Sequence, residues 1–171
     1  LEAAGIPAGP VLNIEEMLEN ITSKERLLAI DVGTKTIGIA ISDSNQLIAS
    51  PIETIYRKNI AHDYKRIEFL IADRNVGGFI VGLPINMNGS EGPRCQSVRQ
   101  FVKNMQPFFN IPFLFWDERL STKTAKRSMI DQNISRLKQK KRINHEAASI
   151  ILQGFLDLAQ NKKKLSSYLR N

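Results

Sequence analysis

The chain has 171 residues, enough for one domain with a buried core, and 42% hydrophobic against 24% charged residues describes an ordinary globule. No apolar run approaches the roughly 20 residues of a membrane span, and none has the layout of a secretory signal. One cysteine, Cys95, excludes an internal disulfide framework or a zinc site built on several thiolates, while the net charge of +7 favours a polyanionic partner.

Residues 1–22 differ from the rest, with small residues and two prolines followed by an acidic amphipathic turn from Asn13 to Glu19. The chain opens on Leu1, so an upstream segment is expected, with a start near Met17 as one account of the difference. We expect these residues to form an appendage outside the fold. From Glu25 the pattern is regular. Arg26–Val32 and Thr36–Ser42 are aliphatic runs joined by a Gly-Thr-Lys turn, which predicts a hairpin. Leu47–Tyr56, broken by Pro51, predicts a strand at a sheet edge. Asp63–Asn75 has helical spacing at Ile67, Leu70 and Ile71, and Gly78–Leu83 is a short buried strand. Pro93–Met105 is a polar helix with Val98, Phe101 and Val102 on one face, and Ile111–Trp116 is a second buried strand. A helix from Ser121 to about Asp131, a basic loop over Gln132–Arg142 and a strong helix over Asn144–Gln160 complete the chain. The sum is an α/β domain with a mixed sheet flanked by helices, over residues 23–171.

Asp31 ends the first aliphatic run, where a buried strand would ordinarily carry Val or Ile. An aspartate there either stabilises the turn or lies among the ligand-binding strand ends of an open α/β sheet. The stretch "WDERLST" ends a second buried strand in Asp117 and Glu118, with Arg119 beside them. Alternation sends the two acids to opposite faces, so at most one joins Asp31, and ion pairing with Arg119 is the structural role open to one of them. Acidic strand ends in a basic protein suggest a divalent cation, because Mg²⁺ is held by one or two carboxylates together with substrate phosphate oxygens. "VGLPINMNGSEGP" lacks the P-loop spacing, but Gly82, Gly89 and Gly92 permit close backbone approach to a phosphate ahead of the helix at Pro93. A flexible surface loop is the alternative. The run Arg136, Lys138, Lys140, Lys141 and Arg142 is placed to hold a phosphate backbone, whereas Lys162 to Lys164 reads as a solvated face. Trp116 and Phe113 to Phe115 belong in the core.

"LLAIDVGTKTIGIAISD", "IVGLPINMNGSEGP", "DERLST" and "KKRINHEAASIILQGFLD" together resemble the YqgF family of Holliday-junction-resolvase-like proteins, known in bacteria as pre-16S rRNA nucleases. The resemblance runs from Arg26 to about Asp157 with the motifs in order. It implies an RNase H-like fold with a five-stranded mixed sheet, and an endonuclease dependent on Mg²⁺ or Mn²⁺ that processes the 5′ end of the rRNA precursor in the cytoplasm. Branched DNA is the other substrate it implies, and ribosomal precursor particles are possible partners. By that resemblance Asp31 and Glu118 match metal ligands, with Asp117 as the alternative to Glu118. Lys35 and Arg119 join the basic run as contacts to nucleic acid. The family has Asp where this chain has Asn144, so the third acidic position of the site is neutral here. Asn144 continues the stripe Ala147, Ala148, Ile151, Phe155 and Leu158 toward the sheet, although an N-cap is a sufficient structural role for it.

Three weaker readings stand beside this one. A module that binds RNA without cleaving it would keep the fold after losing a ligand at position 144. "IDVGTK" also resembles the phosphate-binding hairpin of sugar kinases and actin, but the chain is too short for their two related domains. "AAGIPAGPVLNIEEML" resembles a C-terminal stretch of class III CoA-transferases, and without that family's catalytic domain no activity follows from it.

Overall fold

The structure, a computed structural model, describes residues 8–121 and 136–170, and the side chains of residues 122–145 lie outside that description. Five strands form one mixed sheet in the order β3-β2-β1-β4-β5. β1 (Arg26–Val32) and β2 (Thr36–Ser42) form the expected antiparallel hairpin, whose turn is closed by the Gly33 amide donating to the Thr36 carbonyl at 2.8 Å. β3 (Ala49–Tyr56) lies at the sheet edge, and Pro51 sits at a register shift against β2, where a missing N–H is tolerated. β4 (Val76–Leu83) runs parallel to β1, and β5 (Phe113–Asp117) parallel to β4.

Alternation within β1 divides the core in two. Leu28, Ile30 and Val32 face α2 (Ile60–Ala72) and α3 (Pro93–Met105), packing with Tyr64, Ile67 and Phe101. Leu27 and Ala29 face α4 (Arg136–Leu169), where Ala148, Ile151, Leu152 and Phe155 cover the sheet. Because both faces are covered, the central strands read as continuous aliphatic runs. Trp116 and Phe113 are core residues, as expected.

Several boundaries differ from the sequence reading, each for a local reason. Leu47 and Ile48 donate their amides to the Asp43 carboxylate at 2.7 and 2.9 Å, which commits them to a turn before β3 begins. Asn59 caps α2 by accepting from the His62 amide, so that helix starts before Asp63. The region expected to be a basic loop is helical from Arg136 onward. Its Arg, Leu, Lys and Gln residues are good helix formers with no Gly or Pro among them, and propensity outweighs the charge that suggested a loop. Asn144 consequently lies well inside α4 and does not cap it. The helix expected from Ser121 lies outside the described residues except for a turn over residues 118–121. Ser121 itself is buried and accepts from Trp116 Nε1 at 2.6 Å.

The largest correction concerns the appendage. Residues 8–22 belong to the fold. Pro10 and Leu12 exchange backbone hydrogen bonds with Phe113 at 2.8 Å each, pairing Val11 in parallel with the edge strand β5. α1 (Ile14–Asn20) opens with a capping box between Asn13 and Glu16 and buries Met17 completely in the core under α4. A Cβ on Gly9 would stand 2.1 Å from the Ile111 carbonyl oxygen, so only glycine allows this approach. Among the described residues, no helix is long and apolar enough to cross a membrane.

Candidate active site

Asp31 lies on the α4 side of β1, directly opposite Gly38 of β2. With no side chain at Gly38, Ala148 of α4 comes close to the same spot: a Cβ there would be 3.6 Å from Ala148 and 3.7 Å from the Asp31 Cβ. On the other flank, Ile30 pairs with Val81, which puts Gly82 level with Asp31 on β4. Glu118 opens the helical turn after β5 and reaches back over Gly82, where an added Cβ would lie 2.5 Å from its Oε1 and from Ile151 Cδ1. The Glu118 carboxylate thus fills the space that a side chain at position 82 would take. Asp31 and Glu118 are brought together on one face of the sheet.

Their electrostatics agree with that placement. Burial pushes the Asp31 carboxyl above the usual aspartate range, against the opposing pull of the Arg94 guanidinium. Glu118 is pushed up to about 7, first by burial and then by the charge of Asp31, and Arg94 again opposes the rise. Arg94 is the charged neighbour of the two acids that sequence reading does not single out. It occupies the first turn of α3, and its Nη2 donates to the Val32 carbonyl at 2.7 Å. A cation in a first helical turn opposes the helix dipole, and that misplacement was the signal available in the sequence. Arg57 acts similarly from just beyond the end of β3, donating to the Gly33 carbonyl at 2.7 Å while its Nε lies 3.5 Å from Asp63. Two arginines therefore hold the two carbonyls that follow Asp31.

The other expected residues divide clearly. Asp117 pairs with Leu83 and sits on the opposite side from Glu118; its carboxylate accepts from the Arg119 amide and guanidinium, which holds its pKa below the usual range. Arg119 is thereby committed to Asp117, with Nη1 also 3.4 Å from the Asn86 and Met87 carbonyls, rather than standing ready for a ligand. Lys35 is exposed on the hairpin turn. Gly82 is not part of a phosphate loop; it is a buried strand residue that makes room for Glu118. Gly89 adopts φ +87 in a loop closed on itself, its amide donating to the Asn86 carbonyl, and Gly92 is the N-cap of α3. Arg136, Lys138, Lys140, Lys141, Arg142 and Asn144 lie on the early turns of α4, and their side chains are outside the described residues.

The donor set suits a hard divalent cation. Two carboxylates destabilised by burial and by each other are relieved by a positive ion between them, and oxygen donors of this kind match Mg²⁺ or Mn²⁺. Among the described residues no third acid, histidine or cysteine joins them.

A family model described as "RuvX: Holliday junction resolvase" matches residues 25–158. A protein of Chelativorans sp. named "Putative pre-16S rRNA nuclease" is 50% identical over 150 residues, covering 88% of this chain and 94% of the relative. A Bartonella tribocorum protein of the same name is 45% identical over 151 residues, covering 88% and 97%. The yeast mitochondrial Holliday junction resolvase Ydc2 shares the fold, with a TM-score of 0.55 at 11% identity, covering 92% of this chain and 88% of that one. The mixed sheet with its flanking helices is therefore the RNase H-like fold of such resolvases.

Proposed function

Because the chain belongs to the RuvX family of Holliday junction resolvases, we propose that it is a metal-dependent endonuclease that hydrolyses phosphodiester bonds in the precursor of 16S rRNA. The observation that carries this reading is the convergence of Asp31 and Glu118 over Gly82, where burial and mutual repulsion favour uptake of a positive charge. Asp31 and Glu118 would hold Mg²⁺ or Mn²⁺. When bound, such an ion supplies Lewis-acid stabilisation of a phosphoryl oxygen and lowers the pKa of a coordinated water. Arg94 and Arg57 keep the strand end rigid by gripping the Val32 and Gly33 carbonyls. Ala148 and Ile151 close the site on the helix side and limit its hydration.

Lys35 and the basic early turns of α4 are the proposed contacts to the phosphate backbone. α4 runs antiparallel to β1: Gln160 reaches Gln46 at one end of the sheet, and Ala148 reaches Gly38 at the other. Its first turns accordingly lead past the carboxylate end, on the path a bound strand would take. The names of the relatives support rRNA precursor as substrate; a cytoplasmic setting among ribosomal precursor particles is part of the same proposal. The family description supports branched DNA as the competing substrate.

The test is cleavage of precursor rRNA and of junction DNA, each with Mg²⁺, with Mn²⁺ and with chelator. Metal-dependent cleavage of the rRNA that is lost in a folded Asp31→Asn variant supports the reading. Turnover that survives that substitution, or a preference for junction DNA, overturns the assigned role or the assigned substrate.

A further inference from the structure

Tyr56 is the last residue of β3, at the end of the sheet that carries the acids. It lies opposite Thr36, and Thr54 lies opposite Gly38, which in turn faces Asp31. Residues two apart on a strand, and residues directly opposed on neighbouring strands, project from the same face. Tyr56 therefore projects from the face of Asp31, two strands away. Two strand spacings across and two residues along give about 12 Å between the Cα atoms. That distance is on the order of two or three nucleotides of a bound strand.

The ring is 73% exposed, and among the described residues neither the ring nor the hydroxyl has a partner. Its backbone, by contrast, is firmly held. Ile55 is buried in the core, and Arg57 is tied to Lys35 O through its amide and to Gly33 O through its guanidinium. Lys35, which precedes the Thr36 that pairs with Tyr56, and Lys58, two residues on, are both exposed at the same sheet end. A flat aromatic on a clamped strand end, with exposed lysines at the same sheet end and on the face of the carboxylates, has the composition of a base-stacking platform. Edge strands more often end in charged side chains that water solvates well.

We propose that Tyr56 stacks on an unpaired base two or three nucleotides from the scissile phosphate, so that the enzyme reads its substrate as a single strand at that position. This rests on the nuclease reading above and adds the substrate form to it. Lys35 contacts the phosphate that follows the stacked base.

The experiment measures binding of a single-stranded oligoribonucleotide containing 2-aminopurine to the full chain in chelator, where no cleavage occurs. Tyr56→Ala weakens binding about tenfold and abolishes the stacking quench, Tyr56→Phe and Tyr56→Trp retain both, and binding of a fully paired duplex is unchanged. Equal single-strand binding by wild type and Tyr56→Ala overturns the proposal, as does an equal loss on the duplex or no single-strand binding by wild type. Cleavage with metal is scored separately. Its absence from the wild-type protein would count against the nuclease reading, while the chelator experiment still decides on the tyrosine.

Discussion

The Glu118 carboxylate occupies the place of the side chain that Gly82 lacks, its Oε1 standing 2.5 Å from where a Cβ would be. The second acid of the site reaches Asp31 only because β4 carries no side chain at that level. Gly82→Ala must therefore expel Glu118 or push Ile151 aside, and both are packed. We expect cleavage to fall at least a hundredfold and stability by about 1–3 kcal/mol, the usual range for overpacking. Turnover and urea unfolding of the variant check this, and near-normal activity would mean that Glu118 need not rest on β4.

Titration of Glu118 gives a prediction with a definite sign. Its carboxyl is pushed from its ordinary 4.5 up to about 7 in the folded chain. Between those values the folded state binds the proton that the unfolded state releases, so stability falls as pH rises through this window and levels off above it. Glu118→Gln removes the titration. In chelator at pH 8 the variant is expected to be more stable than wild type by about 3–3.5 kcal/mol, at about 1.4 kcal/mol per pKa unit. At pH 4 the advantage should disappear, and saturating Mg²⁺ should favour the wild type. Urea melts at the two pH values decide it, and a gain that is the same at both would contradict the assignment.

Arg94 works against the same shifts. Its guanidinium lowers the pKa of Asp31 and of Glu118 while one of its nitrogens is bonded to Val32 O at 2.7 Å. Arg94→Gln should move the acidic limb of the pH–rate profile upward by about one pH unit or more, since a close opposite charge lowers a carboxyl by about 1–3 units. Arg94→Lys keeps the charge and should leave the limb near its original place, even if it loosens the strand end. An unshifted limb in the glutamine variant would reduce Arg94 to a strut.

What the sequence revealed and what it hid follow from the range of the interactions. The strand-end acids stand out because Asp31 and the Asp117–Glu118 pair each end an apolar run, and strand alternation sends Asp117 and Glu118 to opposite faces while leaving open which of them joins Asp31. Gly82 was misread as phosphate-binding because a glycine kept small for a neighbouring side chain looks, in sequence, like one kept small for a ligand. Arg94 was missed because its partners, Val32 and the two acids, are distant in the chain and meet only through the β1–β4 pairing. The start of α4 is not legible from charge, because clustered cations suggest a loop even in residues whose propensity is helical.

Asn144 offers a gain-of-function test. It lies one helical turn before Ala148, whose Cβ is next to Gly38 and so beside Asp31. Asn144→Asp adds a third negative charge at that end of the helix. At limiting Mg²⁺ we expect cleavage to rise several-fold, with a smaller difference at saturating metal. A metal titration of the rate measures this. An unchanged half-saturation point would show that position 144 does not reach the ion.

The N-terminal segment supplies the last prediction, because its docking is confined to residues that precede the family match at residue 25. Met17 is fully buried, with its sulfur 3.0 Å from where a Cβ on Gly78 would lie, and Pro10 to Leu12 cover the open side of β5. Met17→Ala leaves a cavity under α4 and should cost about 2–4 kcal/mol, equivalent to roughly 5–15 °C in Tm for a domain of this size. Deleting residues 1–22 removes the plug and also bares an edge strand, which is a template for pairing with another chain. The truncated protein should therefore both melt earlier and self-associate at concentrations where the full chain does not, as thermal unfolding and light scattering will register. If only Met17 mattered, truncation and Met17→Ala would melt alike and neither would associate. A truncated chain as stable and as monodisperse as the full one would return residues 8–22 to the status of an appendage.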